Sequence, residues 1–125
     1  MARSLLRSTV LAVLLTGLAV APLALAHPSL MRSTPAADAT VAPATEITLQ
    51  FSEKVMPRAT RIELSMDHGR MKMAMPTVAQ DVSEDGHTLR ARFAKSLPAG
   101  SYALQWRAVG QDSHPMTGSY RFTVK

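Results

Sequence analysis

The amino-acid sequence predicts an all-β domain, an antiparallel β-sandwich or small barrel of about seven short strands. Apolar and polar residues alternate with period two in several short segments, the pattern of a strand with one buried and one exposed face. Proline and glycine recur at short spacings between these segments. After residue 26, no segment sustains the apolar spacing of a helix. Because the chain has no cysteine for an intersheet disulfide, the predicted topology is at most Ig-like.

The predicted strands follow one another along the chain. Alternation is clear in five segments: 46–51, 61–66, 89–93, 102–108 and 120–124. The less regular segments 29–33 and 77–82 complete the seven. Leu97-Pro98-Ala99-Gly100 is a turn signal directly before the strand that contains Trp106. The other turn residues are Pro35, Pro43, Pro57, Gly69, Pro76, Gly86, Gly110 and Pro115.

Residues 1–26 have the features of a cleaved signal peptide. Arg3 and Arg7 precede an apolar run, and Leu23-Ala24-Leu25-Ala26 ends in the A-x-A pattern that a signal peptidase recognises. The central apolar run is shorter than the roughly 20 residues that span a bilayer. We therefore predict an exported domain of residues 27–125 whose first residue is His27.

The composition excludes several classes of chemistry. With no cysteine, the chain lacks the usual ligands for thiolate catalysis, zinc fingers and iron–sulfur clusters. It has no dense basic run interleaved with aromatic residues, so nucleic acid is not an expected partner. Eight methionines and four histidines remain as candidate ligands for a soft or borderline metal.

His27 is the first candidate ligand. As an amino-terminal residue it offers its α-amine and its imidazole, which can close a chelate on one metal ion. Pro28 has no N–H, so copper(II) cannot displace an amide proton there, and further ligands must come from elsewhere in the fold. The alternative is that His27 is an arbitrary polar residue left by the peptidase.

Asp112-Ser113-His114-Pro115 is the second candidate and lies between two predicted strands. In an extended segment, residues two apart point to the same side, so Asp112 and His114 can address one point. With His27 they provide three nitrogens and one oxygen, a set suited to tetragonal copper(II). The alternative is that Asp112 makes an Asx-type turn and His114 packs beside Pro115.

The third candidate is the segment from Met66 to Pro76, which contains four methionines and His68. Met71, Met73 and Met75 are spaced at period two, so an extended chain presents their sulfurs on one side. Thioether sulfur is soft and favours copper(I). The alternative is a hydrophobic edge in which methionine fills irregular gaps, and it applies best to Met66.

These residues together resemble the CopC/PcoC family of periplasmic copper-resistance proteins. The resemblance rests on five motifs and covers almost all of residues 27–125. The motifs are His27-Pro28-Ser29-Leu30, the stretch 47–53, the methionine-histidine segment, 97–102 leading into 106–109, and 112–118. The carboxy-terminal third is the most specific part.

The resemblance implies a Greek-key β-barrel or sandwich, similar to cupredoxin or immunoglobulin folds, that binds copper and catalyses no reaction. It implies a copper(II) site at His27, Asp112 and His114. It also implies a copper(I) site, with the candidate ligands Met66, His68, Met71, Met73 and Met75. One departure is that His68 precedes the Met71-x-Met73-x-Met75 run, whereas the family pattern has more methionine ahead of its histidine.

The functional hypothesis is a protein that sequesters or carries copper for copper resistance or homeostasis. The resemblance suggests an inner-membrane copper transporter or a multicopper oxidase as partner. Two alternatives remain: a copper-dependent oxidative enzyme that uses an amino-terminal histidine site, and an exported β-sandwich adaptor without metal. A coordinating Asp112 and the lack of an obvious aromatic platform for a polysaccharide argue against the enzyme.

Overall fold

A computed structural model describes residues 27–125, so the predicted signal peptide lies outside the described part of the chain. The described residues form nine strands and no helix. The strands are β1 (Leu30–Thr34), β2 (Thr40–Val41), β3 (Glu46–Phe51), β4 (Arg61–His68), β5 (Met71–Met75), β6 (Ala79–Val82), β7 (Thr88–Arg92), β8 (Gly100–Val109) and β9 (Pro115–Val124). Within this range, no helix is long and apolar enough to cross a membrane.

The strands form two sheets packed face to face, which confirms the all-β sandwich. One sheet has the order β1-β3-β7-β6 and the other β2-β9-β8-β4-β5. Neighbouring strands are antiparallel except for β2 and β9, which are parallel. The two strands beyond the seven predicted are β2, which is only two residues long, and β5, which contains the period-two methionines. β9 begins at Pro115 rather than near Tyr120, because Met116 and Gly118 already pair with Ala108 and Trp106 of β8.

The alternating apolar residues of both sheets meet in a single core. Its fully buried members include Ile47, Leu49, Leu89, Tyr102, Leu104 and Phe122. The Tyr102 ring stacks on that of Phe122, and its hydroxyl donates a hydrogen bond of 2.5 Å to the carbonyl of Pro98. This hydroxyl bond to the preceding turn resembles the tyrosine corner of immunoglobulin-like domains. It fixes the start of β8, and the two candidate sites lie at the two ends of this strand.

The two candidate sites lie at opposite ends of β8. Near its start, Tyr102 pairs with Met66 of β4, and β4 continues from there into the hairpin with β5. At its end, Val109 pairs with Pro115 across the connection that contains Asp112 and His114. Seven residue-to-residue steps along β8 separate Tyr102 from Val109, a distance of about 23 Å. We call His27, Asp112 and His114 the histidine cluster, and residues 66–75 the methionine hairpin.

Candidate metal centre

The segment 27–29 is held against the sandwich rather than left free. Ser52, directly after β3, donates its backbone N–H to the Ser29 carbonyl at 2.9 Å. Its hydroxyl oxygen accepts the Ser29 N–H at 2.9 Å. Pro28 is fully buried, while His27 is exposed. These contacts fix the backbone immediately before β1 and bring the His27 side chain to the connection between β8 and β9.

A tight turn, and not an extended segment, brings Asp112 and His114 together. The Ser113 N–H donates to the Gly110 carbonyl at 3.0 Å, and Ser113 has a left-handed φ of 66°. Asp112 Oδ1 accepts the backbone N–H of His114 at 3.2 Å, which is the Asx-type bond of the alternative reading. The expectation of an extended chain was therefore wrong, because the left-handed residue reverses the backbone. The Asx bond engages only Oδ1 and leaves Oδ2 free to face the imidazoles.

The structure brings His27, Asp112 and His114 into one cluster. Asp112 Oδ2 lies 3.1 Å from Nδ1 of His27 and 3.1 Å from Nδ1 of His114. One donor atom from each residue lies within 4.8 Å of the others. The two rings are nearly perpendicular, with centroids 5.7 Å apart. Only 9% of the Asp112 side chain is exposed, against 49% for His27 and 67% for His114, so the carboxylate forms the floor and the imidazoles the open rim.

The local electrostatics keep Asp112 ionised. The hydrogen bond with the His114 side chain, followed by that from the His114 backbone N–H, lowers the pKa of Asp112 below its ordinary value. The charges of His114 and His27 act in the same direction, and partial burial opposes them. A metal ligand must be deprotonated, and a carboxylate beside two imidazole nitrogens forms a donor set that suits copper(II). The chemistry of the cluster therefore fits the ion that the sequence predicted.

The methionine hairpin presents its thioethers on one face. In the register of β4 and β5, Met71 pairs with His68, Met73 with Met66 and Met75 with Leu64. Paired residues of antiparallel strands point to the same side of the sheet. Since Leu64 is buried, this is the inner face of the five-stranded sheet. All five predicted copper(I) ligands therefore lie on one face of the sheet, on the edge strand β5 and the neighbouring β4.

Exposure divides these five residues into two groups. Met71 and Met73 are 72% and 52% exposed, and His68 is also exposed. Met66 and Met75 pack against the core. Met66 is held especially closely, because its Cε would lie only 2.4 Å from a Cβ at Gly100. The hydrophobic-edge reading thus describes Met66 and Met75, while the other three residues form an open soft-donor surface.

Sequence reasoning missed two residues at the histidine cluster and the partner of another histidine. Ser52 forms hydrogen bonds with Ser29 and Gly110 lies against the Pro28 ring, but nothing in local periodicity marks Ser52. Gly110, treated as turn punctuation, directly follows the buried Val109, and a glycine at a strand end can signal a close approach. The other histidine is His87, which is half-buried with Nδ1 3.2 Å from the Phe51 carbonyl.

Comparison with known proteins extends these findings. The sequence model of the CopC domain matches residues 30–125. Copper resistance protein C of Escherichia coli is 40% identical over 120 residues, which cover 90% of this chain and 94% of that protein. The Xanthomonas campestris pv. juglandis protein of the same name is 41% identical over 105 residues, which cover 82% and 83%. The crystal structure of PcoC, a methionine rich copper resistance protein from Escherichia coli, matches with a TM-score of 0.74 and 37% identity, over 80% of this chain and 100% of that one.

Proposed function

The chain belongs to the CopC domain family, and from this premise we propose that it is a periplasmic copper-binding protein that sequesters or carries copper. The observation that carries the proposal is the histidine cluster, in which one ionised carboxylate faces two imidazole nitrogens at 3.1 Å. Relatives named copper resistance protein C, at 40% and 41% identity, support copper as the ion that the protein binds. In this role copper is the transported ion and not a resident catalytic group.

Copper(II) binds at the histidine cluster. Cleavage after Ala26 frees the His27 amine, which joins the His27 imidazole in a chelate, and Asp112 and His114 complete the set. Pro28 is buried and has no N–H, so copper(II) cannot displace an amide proton at this position, as it does on a flexible peptide. The resulting three nitrogens and one charged oxygen match the tetragonal preference of copper(II).

Copper(I) binds at the methionine hairpin through Met71, Met73 and His68. Soft, uncharged thioethers favour the lower oxidation state, and these three residues are exposed on one face of β5 and the end of β4. Met75 and Met66 lie on the same face toward the core, where they border the site.

The protein acts as a carrier and not as a catalyst. An oxidative copper enzyme needs an open coordination position, but Asp112 Oδ2 faces both imidazoles and would fill one. Its negative charge also stabilises the higher oxidation state. The exposed rims of both sites suit transfer of copper to a second protein, for which we propose an inner-membrane copper transporter or a multicopper oxidase. Copper-dependent cleavage of a polysaccharide with peroxide would instead support the enzyme.

The free amine provides the decisive test. We compare the protein that begins at His27, a form with one alanine ahead of His27, and a control form with one alanine after Lys125. Copper(II) affinity and electron paramagnetic resonance spectra are measured for each. The extra amino-terminal residue should weaken binding by more than the roughly 10- to 100-fold that changes outside a ligand set cost, while the control stays unchanged. Identical spectra and affinities for all three forms would refute the copper(II) site.

A further inference from the structure

Gly110 lies between Pro28, which follows His27, and the turn that contains Asp112 and His114. A Cβ built on this residue would lie 2.9 Å from Cγ and 3.0 Å from Cδ of Pro28, and 3.2 Å from Asp112 Oδ1. Ordinary carbon–carbon contacts are about 3.5–4.0 Å. The Pro28 ring and the Asp112 carboxylate therefore both occupy the space where a side chain at position 110 would be.

Space, and not backbone conformation, is the reason for glycine here. The positive-φ glycines among the described residues are Gly69, Gly86 and Gly100, and Gly110 is not one of them. Alanine can thus adopt the backbone conformation of Gly110 without strain. The cost of a side chain at this position comes only from its contacts.

Neither Gly110 nor Pro28 can easily move away from the other. Gly110 forms an antiparallel bridge with the buried Val55, and the N–H of Met56 donates to the Val109 carbonyl at 2.7 Å. On the other side, the hydrogen bonds between Ser29 and Ser52 fix the backbone after Pro28. A proline ring has no flexible end that could rotate aside. A side chain at position 110 would therefore displace Pro28 and, with it, the adjoining His27.

We infer that Gly110 is a positioning residue for copper(II): its bare backbone seats the Pro28 ring against the turn of Asp112 and His114, and so sets where His27 meets them. This inference rests on the proposed function. Metal ligands must lie within about 0.2 Å of their preferred distances. The contact between Pro28 and Gly110 acts directly on the separation of His27 Nδ1 and Asp112 Oδ2, which is 3.1 Å here.

A double-mutant cycle tests this contact. Copper(II) affinity and electron paramagnetic resonance spectra are measured for the wild-type protein beginning at His27, for Gly110→Ala, for Pro28→Ala and for the double variant. Gly110→Ala should weaken binding by about tenfold or more and alter the spectrum. In the Pro28→Ala background the ring carbons are gone and only the longer contact with Asp112 Oδ1 remains, so the same change should cost clearly less than it does beside Pro28. Any effect of the new N–H at position 28 is common to both members of that pair and cancels.

The control variant is Val124→Ala, which removes buried volume beside Gly100, at the opposite end of β8. It should lower stability and leave copper(II) binding unchanged. Equal losses from Gly110→Ala in both backgrounds, or no loss in a folded Gly110→Ala protein, would overturn the inference. If Gly110→Ala alone does not fold, recovery of folding and binding in the double variant supports the inferred packing of Pro28 on Gly110, and failure of the double variant overturns it. A wild-type protein that binds no copper(II) would instead refute the proposed function.

Discussion

The histidine cluster and the methionine hairpin are assembled in opposite ways. The cluster joins residues 27 and 112–114, which meet only because Pro28 packs on Gly110 and Ser29 bonds to Ser52. The hairpin is local: β4 and β5 are joined through Gly69 and Arg70, and their pairing alone aligns the side chains. In the cluster the carboxylate is largely covered, whereas Met71 and Met73 are mostly exposed.

This difference matches the demands of the two oxidation states that we propose for these sites. Copper(II) prefers tetragonal geometry, and a site braced by packing holds its ligands in place before the ion arrives. Thioethers on unbranched, flexible side chains adapt to the ion instead. Because about 23 Å of β8 separates the two proposed sites, neither could pass copper directly to the other. We therefore expect them to load and unload independently.

Among the variants that test this comparison, we expect the largest effect, on copper(I) affinity, from removal of the exposed thioethers. Met71→Leu with Met73→Leu keeps the apolar size and removes two soft donors, so copper(I) affinity should fall by roughly tenfold or more. Copper(II) affinity should not change, because the histidine cluster lies at the other end of β8. Competition with a colorimetric copper(I) chelator and a copper(II) titration measure both.

The matched control is Met31→Leu with Met56→Leu, which removes two exposed thioethers elsewhere on the surface. It should leave copper(I) affinity unchanged. Equal losses in the two double variants would mean that methionine content, and not the hairpin, determines copper(I) binding. A fall in copper(II) affinity in the hairpin variant would contradict the independence of the sites.

The strands and their buried faces could be predicted from sequence because alternation is a local property. Ile47, Leu49 and Phe51 face the core as their spacing predicted. The two-residue β2 could not be predicted, because its parallel pairing with β9 depends on the packed sandwich. The methionine spacing predicted one common face but not the register that adds Met66 and His68 to it.

The histidine cluster was predictable in its membership but not in its construction. The spacing of Asp112 and His114 suggested a common target, and the predicted signal-peptide cleavage site added His27 as an amino-terminal ligand. The left-handed Ser113 that forms the turn and the seat of Pro28 on Gly110 depend on long-range contacts. Such contacts leave no periodic signal in the sequence.

A smaller effect is expected from Met66→Leu, which distinguishes a methionine that borders the methionine hairpin's exposed surface from one that binds copper(I). Met66 packs against the core, with its Cε directed at Gly100. Met66→Leu should therefore lower the free energy of unfolding by less than about 1.5 kcal/mol, as Met-to-Leu exchanges in cores do. Its copper(I) affinity should stay within about threefold of wild type. A loss as large as that of the Met71 and Met73 double variant would instead make Met66 a ligand.

The smallest effect concerns the metal-free histidine cluster and its pH dependence. Hydrogen bonds from His114 lower the pKa of Asp112 in the folded protein, so the unfolded chain binds a proton there more readily. The stabilisation from this group is therefore present above the ordinary carboxyl pKa of about 3.9 and is lost as the pH falls through the lower folded value. Asp112→Asn should be less stable than wild type near neutral pH, and the difference should disappear in acid. Chemical denaturation between neutral and strongly acidic pH measures this, with the exposed Glu53→Gln as a control of equal charge change. A difference that persists in strong acid would show that Asp112 stabilises the turn by its shape and not by its charge.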